Sequence, residues 1–264
     1  MKRAVGLAAL TVLELPPDEQ VSVAAQAGYS HVGLRLIPVA GQPVIHAFDA
    51  AEVERRLSDT GVGVLDVEVF RLTPQTNIKD FEAVMATAQR LGATELLVHG
   101  ADSDEARLIE TFGRLCDLAA GYGLSANLEP MPWVEVSNLA KAMRILDGAA
   151  RANGGLLVDA IHFFRAGDSP QALAKLPRKF LRYMQLCDAR PERPADVQEI
   201  IRQACSDRLF PGEGGLDLKG LLGALPAGTP ISLEIPVAKN IEPLERARRA
   251  LAATNAILNV VEVA

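Results

Sequence analysis

Four short apolar segments of this chain each end in a side chain that carries an oxygen ligand. These side chains are Glu129, Asp159, Gln185 and Glu234. Short apolar runs bracketed by Gly, Pro or polar residues are typical of buried parallel strands. In a barrel of parallel strands, the C-terminal ends converge on one face, where active sites lie. Three carboxylates and an amide would repel one another or stay unsatisfied there, so the pattern predicts a site for one divalent cation.

Two histidines belong to the same predicted face. His162 follows Asp159 by three residues, and we expect it to bind a substrate oxygen or to act as an acid or base beside the metal. The alternative is a loop histidine at the barrel rim. His99 ends the fourth predicted strand and is a second candidate for substrate binding. His31 begins a strand, which places it on the opposite face, and His46 falls in a loop, so neither receives a role.

Several charged residues near strand ends could reach the same cavity. Arg208 could hold a substrate oxygen or carboxylate, or it could lie on the surface. Glu68 is a candidate for substrate binding at the end of the third strand. Arg35 and Arg71 come near the ends of the second and third strands and could point inward or outward.

Two further candidates lie in the loops that follow the strands. Trp133, the only tryptophan, could form a wall of the substrate pocket or cover the barrel rim. Asp188 could orient a ligand from behind Gln185, or it could cap the following helix. The Gly-rich segment 210–215 could bring its backbone close to a ligand.

The order of the predicted elements indicates an α/β fold, a (β/α)₈ TIM barrel that forms a single domain over residues 1–264. Eight strand–helix units of about 33 residues each fit the usual size of this fold. The alternative, an open doubly wound sheet, lacks the Gly-x-Gly-x-x-Gly sequence after its first strand. The strands are predicted at 4–10, 31–36, 62–70, 95–98, 124–129, 155–159, 180–186 and 231–234. The helices are predicted at 16–27, 47–60, 77–91, 103–121, 136–150, 169–176, 194–205, 218–225 and 243–258.

Composition limits the partners that this chain could have. The net charge is −6 and no basic cluster contains interleaved aromatic residues, so we expect no nucleic-acid partner. No apolar run approaches the roughly 20 residues of a membrane span, and no secretory signal is recognisable. Three cysteines without metal or disulfide spacing fit a reducing cytoplasm. The apolar tail 256–264 could dock on the barrel or on a second subunit, which leaves a homo-oligomer open.

The chain resembles the xylose isomerase-like TIM-barrel superfamily, the sugar phosphate isomerase/epimerase group, over essentially its whole length. Members hold one divalent metal ion (Mn, Mg, Co or Zn) with Glu, Asp, His and Glu from strands five to eight. For this chain, the resemblance implies that the metal ligands are Glu129, Asp159, Gln185 and Glu234. Gln185 stands where many members have His, which looks like the 3-dehydroshikimate dehydratase branch. The resemblance rests on five segments: Asn127–Pro130, Val158–His162, Met184–Asp188, Pro211–Gly214 and Ser232–Glu234.

The resemblance implies removal of a proton next to a carbonyl, with an enediolate stabilised by the metal. Glu129 and Glu234 would take and return protons, and His162 would bind a substrate oxygen. The first hypothesis is a metal-dependent isomerase or epimerase of a sugar-like polyhydroxy ketone. The second is a lyase that dehydrates a cyclic keto acid such as 3-dehydroshikimate, which Gln185 and Arg208 favour. The third is a non-catalytic barrel that binds a sugar or a partner chain.

Overall fold

Eight parallel strands close into a barrel in the computed structural model, which describes residues 3–38, 46–237 and 240–261. Each strand pairs with the next along the chain, and the last strand pairs with the first. The (β/α)₈ prediction is therefore confirmed. The strands are β1 Val5–Leu7, β2 His31–Arg35, β3 Gly63–Leu72, β4 Glu95–Gly100, β5 Ser125–Leu128, β6 Gly154–Asp159, β7 Leu181–Leu186 and β8 Ile231–Leu233.

Ten α-helices among the described residues cover the barrel and its rim. Most of them begin at a side chain that accepts a backbone N–H of the first turn, as Asp104 does for the N–H of Arg107. None of the helices in the described ranges is both long enough and apolar enough to cross a membrane. The helices are α1 Pro17–Ala27, α2 Ala50–Thr60, α3 Glu82–Arg90, α4 Glu105–Ala120, α5 Leu139–Ala149, α6 Ala160–Ala166, α7 Pro170–Leu173, α8 Val197–Ser206, α9 Leu218–Ala224 and α10 Pro243–Val261.

The largest departure from the sequence prediction is α6, where a loop was expected. This helix starts directly after β6, so the apolar sequence runs from strand into helix without a turn signal between them. Asp159 ends the strand and also caps the helix. As a result, His162 lies on a short helix and not in a rim loop.

The final helix, α10, extends further than predicted. Thr254 and Leu258 are buried, so this part of the apolar tail docks on the barrel. Residues 262–264, the end of the tail considered in the sequence analysis, lie outside the described ranges.

The barrel interior below the C-terminal face contains apolar side chains and one buried acid. Leu65, Leu157 and Tyr183 belong to a cluster of buried residues that is separate from the helix-covered core. Asp66 is fully buried beside them. Gly33 makes room for it, because a Cβ at Gly33 would lie only 2.2 Å from Asp66 Oδ1.

The surroundings of the Asp66 carboxyl do little to stabilise a negative charge on it. Burial raises its pKa well above the usual range, Glu68 adds to this effect, and the Tyr183 hydroxyl opposes it. Although that hydroxyl is near, neither Asp66 oxygen accepts a hydrogen bond of ordinary geometry. The folded protein therefore favours the neutral acid at this position.

We expect Asp66→Asn to stabilise the barrel at neutral and alkaline pH. An acid whose pKa is raised on folding contributes its stability below the unfolded value of about 4, and that contribution is lost as pH rises toward the folded value. The amide avoids this loss, so the free energy of unfolding at pH 8 should rise by about 1–3 kcal/mol. Urea unfolding between pH 4 and pH 8 measures it.

The control is Asp147→Asn, which changes an exposed acid on α5 and should leave the curve unchanged. The same pH dependence for wild type and Asp66→Asn would contradict the assignment.

Candidate active site

A cavity of about 320 Å³ opens at the C-terminal ends of the strands. Active sites of TIM barrels are built on this face, because the strand ends and the βα loops converge there. Seven residues that the sequence analysis selected line it: Glu68, His99, Glu129, Trp133, His162, Arg208 and Glu234.

Glu129 follows β5 directly and is held from the neighbouring strand. A hydrogen bond of 2.8 Å joins its Oε2 to Nε2 of His99, which lies near the end of β4. The other carboxylate oxygen, Oε1, is buried without a hydrogen-bond partner and lies 3.8 Å from Nε2 of His162. Glu129 therefore presents one fixed oxygen and one unsatisfied oxygen.

Asp159 and His162 are positioned together by the junction of β6 and α6. Asp159 Oδ1 accepts the backbone N–H of His162 at 3.0 Å, which is the N-cap of the helix. This places Nδ1 of His162 3.8 Å from the same oxygen. The edge of Trp133 packs against the imidazole, with ring centroids 4.9 Å apart at an interplanar angle of 84°.

Glu129, Asp159 and His162 form a group that could hold a metal ion. Each offers one ligand atom, these atoms lie within 4.8 Å of one another, and all three residues are buried. Glu129 Oε1 and His162 Nδ1 are both without hydrogen-bond partners. Buried unsatisfied acceptors of this kind fit a divalent cation, so the site residues are compatible with the metal that the sequence predicts.

Gln185 and Glu234, the other two predicted ligands, are joined to each other. Gln185 Nε2 donates to Glu234 Oε1 at 2.9 Å, which leaves the Gln185 amide oxygen buried without a partner. Glu234 Oε2 lies 2.7 Å from Nη2 of Arg208. The amide thus presents the atom that could ligate a cation, whereas both Glu234 oxygens already have partners.

Arg208 is almost completely buried and compensates two carboxylates at once. Its Nη1 lies 2.5 Å from Asp159 Oδ2, and its Nη2 pairs with Glu234. Its Nε donates to the carbonyl of Ala204 at 2.6 Å. The sequence alone allowed this arginine to hold a substrate carboxylate, but in the structure its contacts are with protein groups.

Burial and the nearby charges shift the pKa values of these groups in different directions. Burial raises the pKa of Glu234 to about 8 although Arg208 opposes it, and burial together with Asp159 raises the pKa of Glu129 well above its usual range. Burial alone would raise the pKa of Asp159, but Arg208 outweighs it and the pKa lies below the usual value. Burial lowers the pKa of His162 to about 3. The cavity therefore presents neutral imidazole beside carboxyls of different acidity.

Comparison with known proteins places the chain in a family. Residues 21–257 match the family described as the xylose isomerase-like TIM barrel. The chain belongs to this family. Among curated family relatives, 3-dehydroshikimate dehydratase from Pseudomonas aeruginosa is 28% identical over 200 residues, or 70% of this chain and 31% of that protein. Inosose isomerase from Bacillus velezensis is 25% identical over 158 residues, or 56% of this chain and 54% of that protein.

The chain spans about a third of the length of the dehydratases that it matches. Solved structures show the same fold at low identity. One is the IOLI protein with a binding zinc atom, with a TM-score of 0.81, 18% identity, and coverage of 98% of this chain and 99% of that one. Another is D-allulose 3-epimerase from Methylomonas sp. in complex with D-allulose, with a TM-score of 0.70, 18% identity, and coverage of 97% and 98%.

Asp188 has a role that the sequence analysis did not foresee. It is buried behind β7, and it does not line the cavity. Its backbone forms an antiparallel bridge with Leu209, so it fixes the segment that carries Arg208. Asp188 thus organises the loop and caps no helix. Its carboxylate accepts four backbone N–H groups at 2.8–3.1 Å, from Ala189, Gly212, Gly214 and Leu216.

Two arginines that the sequence analysis left without a role also line the cavity. Arg35, at the end of β2, pairs with Glu68 through Nε at 2.9 Å and Nη2 at 2.8 Å. Arg71 belongs to β3 and is exposed. Their orientation depends on the pleat of β2 and β3, whose register shifts at irregular positions, so periodicity alone could not have decided it.

We expect Arg208→Gln to destabilise the metal-free protein by about 3–5 kcal/mol, because Asp159 and Glu234 would be left buried without their cation. The melting temperature should fall by roughly 10 °C. Added Mn²⁺ should restore more of the loss in the variant than it adds to wild type, since a bound cation replaces the missing positive charge. Thermal unfolding with and without Mn²⁺ measures both effects.

Arg202→Gln is the matched control, because Arg202 is exposed and its ion pairs, with Glu199 of α8 and with Asp207 after the helix, are open to solvent on the arginine side and worth little. Equal melting temperatures for wild type and Arg208→Gln would show that the two carboxylates do not depend on this arginine.

We expect Asp188→Asn to loosen the segment 210–216. An amide offers one acceptor oxygen and turns donor hydrogens toward the remaining N–H groups, so two of the four contacts are lost. Hydrogen exchange at the amides of Gly212 and Gly214 should be at least about tenfold faster, which corresponds to roughly 1.4 kcal/mol of local stability. Glu213→Gln, an exposed change in the same loop, should leave these rates unaltered; no change in Asp188→Asn would argue against the role given to the carboxylate.

Proposed function

We propose that this protein is a divalent-metal-dependent enzyme that removes a proton next to the carbonyl of a small polyhydroxy ketone, with isomerisation or epimerisation as the outcome. The observation that carries the proposal is the pair of buried carboxyls Glu129 and Glu234 at one cavity. They follow β5 and β8, which lie on nearly opposite sides of an eight-stranded barrel. A substrate between them has an acid or base on each side.

The two carboxyls have the properties of proton-transfer groups. Burial raises the pKa of Glu234 to about 8, so this carboxyl can exchange a proton near neutral pH. Glu129, whose pKa burial also raises, can carry a proton at the same pH, and His99 fixes its orientation. One carboxyl can therefore take a proton from carbon while the other returns one.

The histidines and Trp133 would orient the substrate. Burial keeps His162 and His99 neutral, with pKa values of about 3, so each imidazole acts through a hydrogen bond and adds no charge. Trp133 packs on His162 and covers one side of the cavity. These groups would hold hydroxyl and carbonyl oxygens while limiting the access of water.

The ligands that we propose for one Mn, Mg, Co or Zn ion are Glu129, Asp159, Gln185 and Glu234, with His162 beside them. The unsatisfied oxygens of Glu129 and Gln185 support this set. A bound cation would polarise the carbonyl and stabilise the negative charge that develops on its oxygen. The inosose isomerase and D-allulose 3-epimerase relatives bear names of isomerases and epimerases, which is consistent with this chemistry.

Dehydration of a cyclic keto acid is the second candidate. The similarity to 3-dehydroshikimate dehydratase and the amide of Gln185 favour it. The same first step serves both reactions, because loss of a β-hydroxyl after proton removal gives a lyase. A product that has lost the mass of one water distinguishes dehydration from isomerisation, and sugar binding without turnover would indicate a non-catalytic barrel.

We expect Glu234→Gln to lower kcat by about 10³-fold or more, because the amide cannot accept a proton, while the fold is kept. The assay is turnover of 2-keto-myo-inositol, D-allulose and 3-dehydroshikimate by Mn²⁺-loaded protein. Glu19→Gln on the exposed face of α1 is the control and should keep the wild-type rate.

Metal content of wild type and of Asp159→Ala should be measured on the same preparations. About one equivalent in wild type, removed by chelator and lost in Asp159→Ala, supports the metal site. Turnover by Glu234→Gln near the wild-type rate would rule out the proton-transfer role.

A further inference from the structure

Arg71 is a cation at the cavity with no protein partner for its side chain in the described ranges. It lies on β3 opposite His99 of β4, and it lines the cavity. The residue is exposed, and neither a side-chain hydrogen bond nor an ion pair joins it to any described residue.

The other two arginines of the cavity are committed to protein carboxylates. Arg35 pairs with Glu68, and Arg208 pairs with both Asp159 and Glu234. Their positions are fixed because all these groups are buried. Arg71 is the arginine of the cavity that has no carboxylate partner among the described residues.

The charged groups described around the cavity leave Arg71 without a carboxylate partner. Arg35 and Arg208 are each held by carboxylates of the protein, whereas Arg71 has no carboxylate partner among the described residues. An anionic group of a ligand in the cavity would therefore meet in Arg71 a cation that no described carboxylate already satisfies.

We propose that the substrate carries a carboxylate and that Arg71 binds it. This inference rests on the proposed function and specifies its substrate as a polyhydroxy oxo acid. A carboxylate matches the planar guanidinium by two parallel hydrogen bonds and supplies a negative charge. A neutral ketose would leave the guanidinium without an anionic partner.

The experiment compares two ligands that differ only in this charge. Mn²⁺-loaded protein is titrated with shikimate and with methyl shikimate, and binding is followed by the fluorescence of Trp133, the only tryptophan, which lines the cavity. Wild type should bind the acid at least about tenfold more tightly than the ester, which corresponds to roughly 1.4 kcal/mol. In Arg71→Gln this preference should fall to about twofold or less, because the charged donor is gone.

Two further variants separate charge from general damage. Arg71→Lys should keep part of the preference, because it retains the charge without the planar fork. Arg114→Gln, an exposed change on α4, should behave as wild type. Thermal unfolding and Mn²⁺ content of Arg71→Gln should equal those of wild type.

Several outcomes would overturn the proposal. These are equal binding of acid and ester by wild type, an equal loss for both ligands in Arg71→Gln, and no saturable binding of the acid. Tighter, Arg71-dependent binding of D-ribulose 5-phosphate would assign the position to a phosphate instead. Metal-dependent turnover of a neutral ketose that is unchanged by Arg71→Gln would overturn this inference and leave the proposed function intact. If the protein binds the acid in an Arg71-dependent way but shows no turnover, the proposed function fails and this inference stands.

Discussion

The buried guanidinium of Arg208 is the interaction on which the candidate site depends. Parallel strands bring Asp159 and Glu234 to the same end of the barrel, where two carboxylates could not remain ionised side by side without a cation. Arg208 contacts both of them and is itself excluded from solvent. It lowers the pKa of Asp159, whereas Glu129, which has no arginine partner, keeps a raised pKa. Arg208 thus lowers the pKa of Asp159 below its usual value, while burial keeps the pKa of Glu234 raised although Arg208 opposes it.

The position of Arg208 depends in turn on backbone contacts some distance from the cavity. Asp188 and Leu209 form a two-residue bridge, and the Asp188 carboxylate holds the glycine-rich turn that follows. A Cβ at Gly214 would lie 2.3 Å from both the Asp188 carboxylate and the carbonyl of Ala189, so this turn tolerates only glycine there. The barrel provides the strand ends, and this loop supplies the charge that keeps them together.

The family to which the chain belongs is shown, whereas its reaction is a proposal. The closed barrel and the match over residues 21–257 place the chain among xylose isomerase-like barrels. Proteins with distinct names share this fold, which agrees with the general rule that a fold does not fix a reaction. The difference between such reactions lies in the pocket: which oxygen is held, which proton can be reached, and which charge of the substrate is matched. The arginines of β2 and β3 belong to that part of the site.

The sequence by itself determined the eight strand–helix units and the residues that end strands five to eight. It could do so because strand periodicity and the polarity of strand ends are local properties. It missed α6, whose apolar sequence continues that of β6 without a turn signal, and so it placed His162 in a loop. Only the tertiary structure decided that Arg208 compensates two carboxylates, that Asp188 holds a loop, and that Arg71 faces the cavity. These roles depend on which residues from distant parts of the chain become neighbours when the barrel closes, and no local pattern encodes that.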